Sequence, residues 1–379
     1  MDFNIAEEWN SAQQLAAQIL ADFTSTEQLA ALEQEGGEQF NPALWQTLAE
    51  AGLLGVDIPE EHGGMGMGFF ALTLLCEEVG RSVAPLPVIP VLVGGAGVIS
   101  RFAPPQIRER LLPGLASGEL VVSSALEEYN NDDPEHPGCR ATKNGDGYQV
   151  SGSKICVSRA SSAGRILVSA VDDDGLVVAL VAPDAAGVSL NPQAVTSGET
   201  RHELVLDQVP VAAEDVLATG DLAVSAMRWA RQATRTALCA AAVGLCDKMM
   251  RMTGSYTTER EQFGRAIATF QAVSHRVADC YIDTESLRLV TQQAASLIDR
   301  GEDAEEEATV AKIWCGDVTH RVSQAAQHCH GGTGVDRDYP LFRYCLQARQ
   351  IELTGGSSAR LTAELGQQIA RTYLPGSAP

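Results

Sequence analysis

A stretch of β-type sequence set between two helical stretches constrains this chain more than any other feature. From about residue 120 to 218, short apolar runs such as 166–171 and 176–181 are rich in valine, isoleucine and leucine. Asp, Gly, Asn and Pro break them up. Asn144-Gly145-Asp146-Gly147 adds a tight hairpin signal. On both sides the apolar spacing changes to three and four residues. It does so over 5–31, 42–51, 69–79 and 91–102 before the β stretch, and from Asp221 onward after it. Beyond residue 220 the pattern predicts long helices from about 227 to 258, 270 to 300, and onward from the acidic run at 303–307. A further one covers 358–373. The expected fold class is therefore α+β: an N-terminal helical domain over 1–118, a middle β-sheet domain over 119–219, and a C-terminal four-helix-bundle domain over 220–379.

Composition narrows the partners. With 49 acidic and 27 basic residues the formal net charge is −22. Such a surface repels nucleic-acid backbones and anionic lipid, although a nucleotide ligand needs only a few local cations. Nine cysteines at irregular spacing, without a Cys-x-x-Cys pair, argue against a disulfide framework or zinc site and suit a reducing cytoplasm. His328-Cys329-His330 is a poor metal site, because three consecutive side chains cannot converge without a second cluster. The acidic N-terminus and the lack of an apolar run approaching about 18 residues predict neither an export signal nor a membrane span.

Two segments carry candidate chemistry. Arg260 to Gln271 sits at a break between two long helices and offers a fixed cation, an aromatic face, a turn glycine and amides, a set suited to a pyrophosphate bearing a ring system. The bland alternative is an αα-hairpin whose arginine is solvated and whose phenylalanine is core. Gln327 to Val335 ends a helix in the cluster Gly331-Gly332-Thr333-Gly334. A plain helix cap explains one of those glycines but not three.

Taken in order, Arg260-x-x-Phe263-Gly264 with Phe270-Gln271, Gln327-x-x-x-Gly331-Gly332-x-Gly334 and Tyr339-Pro340 resemble the acyl-CoA dehydrogenase family. Pro59-Glu60-Glu61-His62-Gly63-Gly64, Gly152-Ser153-Lys154 and Val209-Pro210-Val211 are similar to it as well. The resemblance spans nearly the whole chain. It implies FAD as cofactor and α,β-dehydrogenation of an acyl-CoA thioester, with an electron-transfer flavoprotein or a similar acceptor. That chemistry needs a carboxylate base for the α-proton, a flavin to take the β-hydrogen as hydride, and donors to the thioester oxygen. The resemblance further implies that Arg260, Phe263, Gln271, Gln327 and Gly331 bind the FAD of a neighbouring subunit, and Gln262 and Gly332 join them as cofactor-binding candidates.

Departures from the family pattern redirect that reading. The usual base position falls on Gly355, and the alternative position, one residue before Arg235, holds Thr234. Glu352, three residues from Gly355, is a candidate for a shifted base. The family's flavin-facing Thr-Glu-Pro-Gly-x-Gly-Ser run corresponds to Leu126–Asp132, which has lost two glycines and gained two acids that would repel phosphate. Its Trp-Ile-Thr becomes Cys156-Val157-Ser158, where Ser158 could keep one hydrogen bond. Residues that reach a neighbour's FAD are kept, while those serving the chain's own FAD are lost. This predicts no catalytic residue in the chain and a partner dehydrogenase subunit whose FAD it clamps, as in heterotetrameric relatives acting on steroid side-chain thioesters. The alternatives are a self-sufficient homo-oligomeric enzyme using Glu352 or another acid, and a family-fold scaffold without flavin chemistry.

Overall fold

The computed structural model describes residues 5–35 and 39–373. Its elements run helix, sheet, helix, as the sequence pattern predicts. Two compact units emerge: the described residues of Met1–Leu75 with Pro85–Thr234, and Cys76–Ala84 with the described residues of Arg235–Pro379.

The first unit opens with α1 (Glu7–Phe23), α2 (Thr26–Glu35) and α3 (Pro42–Glu50). The single helical pattern over 5–31 is thus broken, with Thr24 outside the helical region between α1 and α2. α3 starts where Asn41 Oδ1 accepts the Leu44 N–H and Pro42 occupies the first turn, whose N–H groups need no helical partner. α4 (Phe69–Ser82) follows and crosses the unit boundary. The small-residue stretch 91–102 is more irregular than its pattern suggests. It forms a π-helical segment, Ile89–Gly97, that passes into α5 (Val98–Phe102). A Cβ on Gly94 would lie 2.1 Å from Ser124 Oγ, and one on Gly95 would lie 2.2 Å from the Val122 carbonyl oxygen. Only glycine lets this segment lie directly on the first strand. α6 (Pro105–Ala116) completes the helical part.

Eight strands then form one sheet: β1 (Val122–Ala125), β2 (Arg140–Asn144), β3 (Gly147–Val157), β4 (Arg165–Asp172), β5 (Gly175–Val181), β6 (Val188–Ala194), β7 (Thr200–Val211) and β8 (Val216–Thr219). The order is β6-β7-β3-β2-β4-β5-β8, and β1 adds to β4 in parallel. The predicted hairpin joins β2 to β3 with Asn144 opposite Gly147 and Gly145 at φ +61°. Alternate residues of β3, β4, β5 and β7, among them Val150, Ile166, Val168, Val177, Ala179, Leu204 and Leu206, build the core. β6 is an edge strand, which is where a strand can carry Pro192 without losing a ladder bond.

α7 (Gly220–Glu259) leads out of the sheet and enters the second unit at Arg235. Its alanine and cysteine run is buried on nearly every side, with Ala237, Cys239, Ala242, Val243, Leu245 and Cys246 all inaccessible. α8 (Gln271–Asp299), α9 (Glu305–His330), α10 (Leu341–Leu353) and α11 (Ser358–Tyr373) complete the unit, and α8, α10 and α11 all pack on α9. Among the described residues, five helices occupy the region where the sequence pattern indicates four. The extra one is α10. Its buried set includes Arg343 and Gln350 beside Leu341, Phe342, Tyr344, Cys345, Ala348 and Ile351, so the polar residues blur the apolar stripe. Among the described residues, no helix is long and apolar enough to cross a membrane.

Candidate functional site

Between α7 and α8 the chain makes a two-strand hairpin, β9 (Glu261–Gln262) against β10 (Arg265–Ala266). Its turn residues are Phe263 at φ +57° and Gly264 at φ +78°. Glycine adopts that conformation freely, whereas an aromatic residue there is held at a cost of order 1–2 kcal/mol. The Phe263 ring is 92% exposed, so it is not the core residue of a plain αα-hairpin. It meets Phe270 edge-on at 6.1 Å, and the Arg265 guanidinium lies 4.1 Å over the Phe270 ring. Arg260, Gln262 and Gln271 are also exposed. The Ile267 N–H donates to the Arg260 carbonyl at 2.8 Å and closes the base of the loop.

The second segment is tied to the first through Tyr256, whose carbonyl accepts the Arg260 N–H at 2.9 Å. The Tyr256 ring stacks on His330 at 4.3 Å, and its hydroxyl donates to the His330 carbonyl at 3.3 Å. His330 ends α9, and Gly331 and Gly332 follow it, both exposed, with Gln327 one turn earlier. Burial lowers the His330 pKa, so the ring is neutral. Its Nδ1–H then faces the Ala326 carbonyl at 2.8 Å, and Nε2 accepts from the Tyr339 hydroxyl at 3.1 Å. Tyr256, His330 and Tyr339 therefore support the candidate binding residues. Sequence reasoning missed that role. Its one visible signal was the Tyr339-Pro340 pair, because Tyr256 lies within an unbroken helix.

Gly355 sits at φ +72° and Gly356 at φ +106°. A Cβ at Gly355 would lie 3.1 Å from Leu238 Cδ1, with Arg235 Cγ at 3.8 Å and Lys312 Cε at 3.9 Å. Two buried cations hold this turn. Arg235 Nε donates to the Gly355 carbonyl at 3.2 Å, while its terminal nitrogens reach Thr309, Glu305 and Glu364. Lys312 Nζ donates to the carbonyls of Glu352 at 3.2 Å and Gly356 at 3.1 Å. The Glu352 carboxylate is engaged elsewhere, 2.5 Å from Arg349 and 3.3 Å from His320 Nδ1. Thr234 Oγ1 is buried without a hydrogen-bond partner. Neither a glycine nor a lone threonine hydroxyl is a proton acceptor of useful strength.

In the sheet unit, the segment that departs from the family pattern is closed by its own contacts. The Cys156 N–H donates to Gln193 Oε1 at 2.8 Å, and Gln193 Nε2 lies 3.4 Å from the Tyr129 hydroxyl. The Ser158 carbonyl accepts from Ser123 Oγ at 2.6 Å. Glu128 does not face outward as an acid that repels phosphate. Its carboxylate turns inward onto Lys154, because a buried ammonium needs a counter-charge.

Comparison with known proteins agrees with this architecture. The family model "Acyl-CoA dehydrogenase, N-terminal domain" matches residues 10–119, and "Acyl-CoA dehydrogenase, C-terminal domain" matches residues 224–370. The acyl-CoA dehydrogenase FadE27 of Mycobacterium tuberculosis is 32% identical, over 98% of this chain and 100% of its own length. A variant of the Tcur3481–Tcur3483 steroid acyl-CoA dehydrogenase superposes with TM-score 0.91 at 40% identity, covering 96% of this chain and 98% of that one. The ChsE4–ChsE5 complex from Mycobacterium tuberculosis superposes with TM-score 0.92 at 31% identity, covering 98% and 100%. The fold is that of an FAD-dependent flavoprotein built as helices, sheet and helices. This chain belongs to the acyl-CoA dehydrogenase family, and FAD is its cofactor.

Proposed function

We propose that this chain is the base-lacking subunit of a hetero-oligomeric acyl-CoA dehydrogenase, clamping FAD whose chemistry a partner subunit completes. One contrast carries the reading. The loop from Arg260 to Gln271 presents an exposed, strained aromatic and exposed polar side chains, whereas the base slot holds Gly355 in a turn that Arg235 and Lys312 tie down. A hairpin that spends strain to keep Phe263 in solvent is built to meet something outside the chain. Tyr281, Ile282 and Leu289 add exposed apolar surface along α8, which also suits a subunit interface.

In this reading Arg260 supplies a fixed charge to the pyrophosphate and Phe263 a face to a ring. Gln262, Gln271 and Gln327 supply amides, and Gly331 and Gly332 permit close backbone approach. Bound FAD supplies the acceptor for the β-hydrogen as hydride. The α-proton goes to a carboxylate of the partner, since Gly355 and Thr234 cannot take it. The substrate is an acyl-CoA thioester, and the steroid dehydrogenases among the structural neighbours favour a steroid side-chain thioester.

Expressed alone, the chain should purify nearly colourless and without dehydrogenase activity. Co-expressed with its partner it should give a yellow, active complex, and Arg260→Ala should lower the FAD retained by that complex. Stoichiometric FAD in the isolated chain would reject the reading. Glu352→Gln tests the self-sufficient alternative, which requires loss of turnover. Glu352's ion pair with Arg349 and its contact with His320 favour an unchanged rate.

A further inference from the structure

Lys154 is fully buried on β3, and its Nζ lies 2.7 Å from Glu128 Oε1 and 3.2 Å from Ser169 Oγ. The Glu128 carboxylate also accepts the Gly138 N–H at 2.6 Å and the Cys139 N–H at 3.2 Å. One ammonium and two backbone N–H groups thus converge on a single carboxylate, the donor set that binds a free anion elsewhere in proteins. The space is tight, since a Cβ on Gly138 would already stand 3.0 Å from Glu128 Oε2.

We infer that Lys154 with the Gly138 and Cys139 amides is a carboxylate-binding cradle, and that the chain fills it with its own Glu128 as an internal ligand, locking the 126–139 segment shut. The remainder of the segment is arranged to match. The Glu128 and Asn131 backbones bond reciprocally at 2.7 and 3.0 Å, and Asn131 Nδ2 donates to the His136 carbonyl. Asp133 and Glu135 are held by Arg231, and Arg228 also holds Glu135. The ligand class is a small monovalent carboxylate. In functional terms the inference deepens the proposed reading, on which it rests for its consequence: the segment that would serve a flavin in this chain is closed by the chain itself. Its test uses no flavin, so its failure is separate from failure of the clamp.

Glu128→Ala in the isolated full chain leaves the Lys154 ammonium buried without its counter-ion, and should lower Tm by roughly 5–10 °C. Sodium formate should restore Tm saturably in that variant. It should restore nothing in the Glu128→Ala/Lys154→Met double variant, and should not change the wild type beyond a general salt effect. If the alanine variant does not fold, Glu128→Gln keeps the volume, and slow exchange of the Gly138 and Cys139 amides in the wild type reads the same contact. Equal formate effects on variant and wild type, an alanine variant as stable as wild type, or unprotected Gly138 and Cys139 amides would each overturn the inference.

Discussion

At the scale of single residues, Gly355 and Glu128 show how an identity acquires meaning from its surroundings. A carboxylate placed at Gly355 would adopt φ near +72°, crowd Leu238 Cδ1, and lie beside Arg235 and Lys312. It would pair with those cations rather than poise for proton transfer. We therefore expect Gly355→Glu to yield no turnover in the isolated chain and to cost about 1–3 kcal/mol, measured by denaturant unfolding. Glu128 sets a pH dependence. Burial acts to raise its pKa, but the Lys154 ammonium, the Gly138 N–H and the Cys139 contact outweigh burial and hold it below the ordinary carboxylate value. A depressed folded pKa contributes stability that is complete above the unfolded value near about 4.3 and is lost as pH falls through the folded one. Acid unfolding of the wild type should therefore steepen below about pH 4, and Glu128→Gln should flatten that limb in a Tm-versus-pH series.

Helices and their crossings obey a different constraint, backbone distance. A Cβ on Gly80 of α4 would lie 2.0 Å from the Ala241 carbonyl oxygen, and one on Gly244 of α7 would lie 1.9 Å from that of Glu77. The two helices touch backbone to backbone at this point, and an ionic group surrounds it. Arg81 pairs with Glu77, Glu78 and Asp247, while Arg288 pairs with Glu77 and Arg251 with Asp247. Gly244→Ala should force the helices apart and lower stability by about 2–4 kcal/mol, or prevent soluble expression. The helix-end cluster at His330 gives another readout. Burial lowers its pKa, so stability from the neutral ring is present above about pH 6.5 and is lost as pH falls below that value. Mild acid should loosen the Gly331–Gly332 end first, seen as faster amide exchange there than in α9.

For the whole molecule, the order of helices, sheet and helices was legible because it rests on periodicity, which local sequence carries. The Asn144–Gly147 hairpin and the four long helical patterns after residue 220 were readable for the same reason. α10 was not, since its buried Arg343 and Gln350 disguise the stripe, and neither was the π-helical segment, whose geometry comes from packing on β1. Of the candidate site, Arg260, Phe263 and the glycine cluster stood out as residue types in order. Their support by Tyr256, His330 and Tyr339 did not, because Tyr256 stands 74 residues before His330 and meets it only in the folded chain.

Sequence alone thus determined the fold class and the family resemblance, and it put Gly355 and Thr234 where that resemblance expects a base, since each depends only on which residues stand at which spacing. Tertiary structure decided what occupies the resulting space. It put Phe263 in solvent rather than in a core, aimed Arg235 and Lys312 at the Gly355 turn, and turned Glu128 inward onto Lys154. The physical reason is that burial and charge pairing depend on which distant residues meet, and composition and spacing do not encode that until the chain has folded.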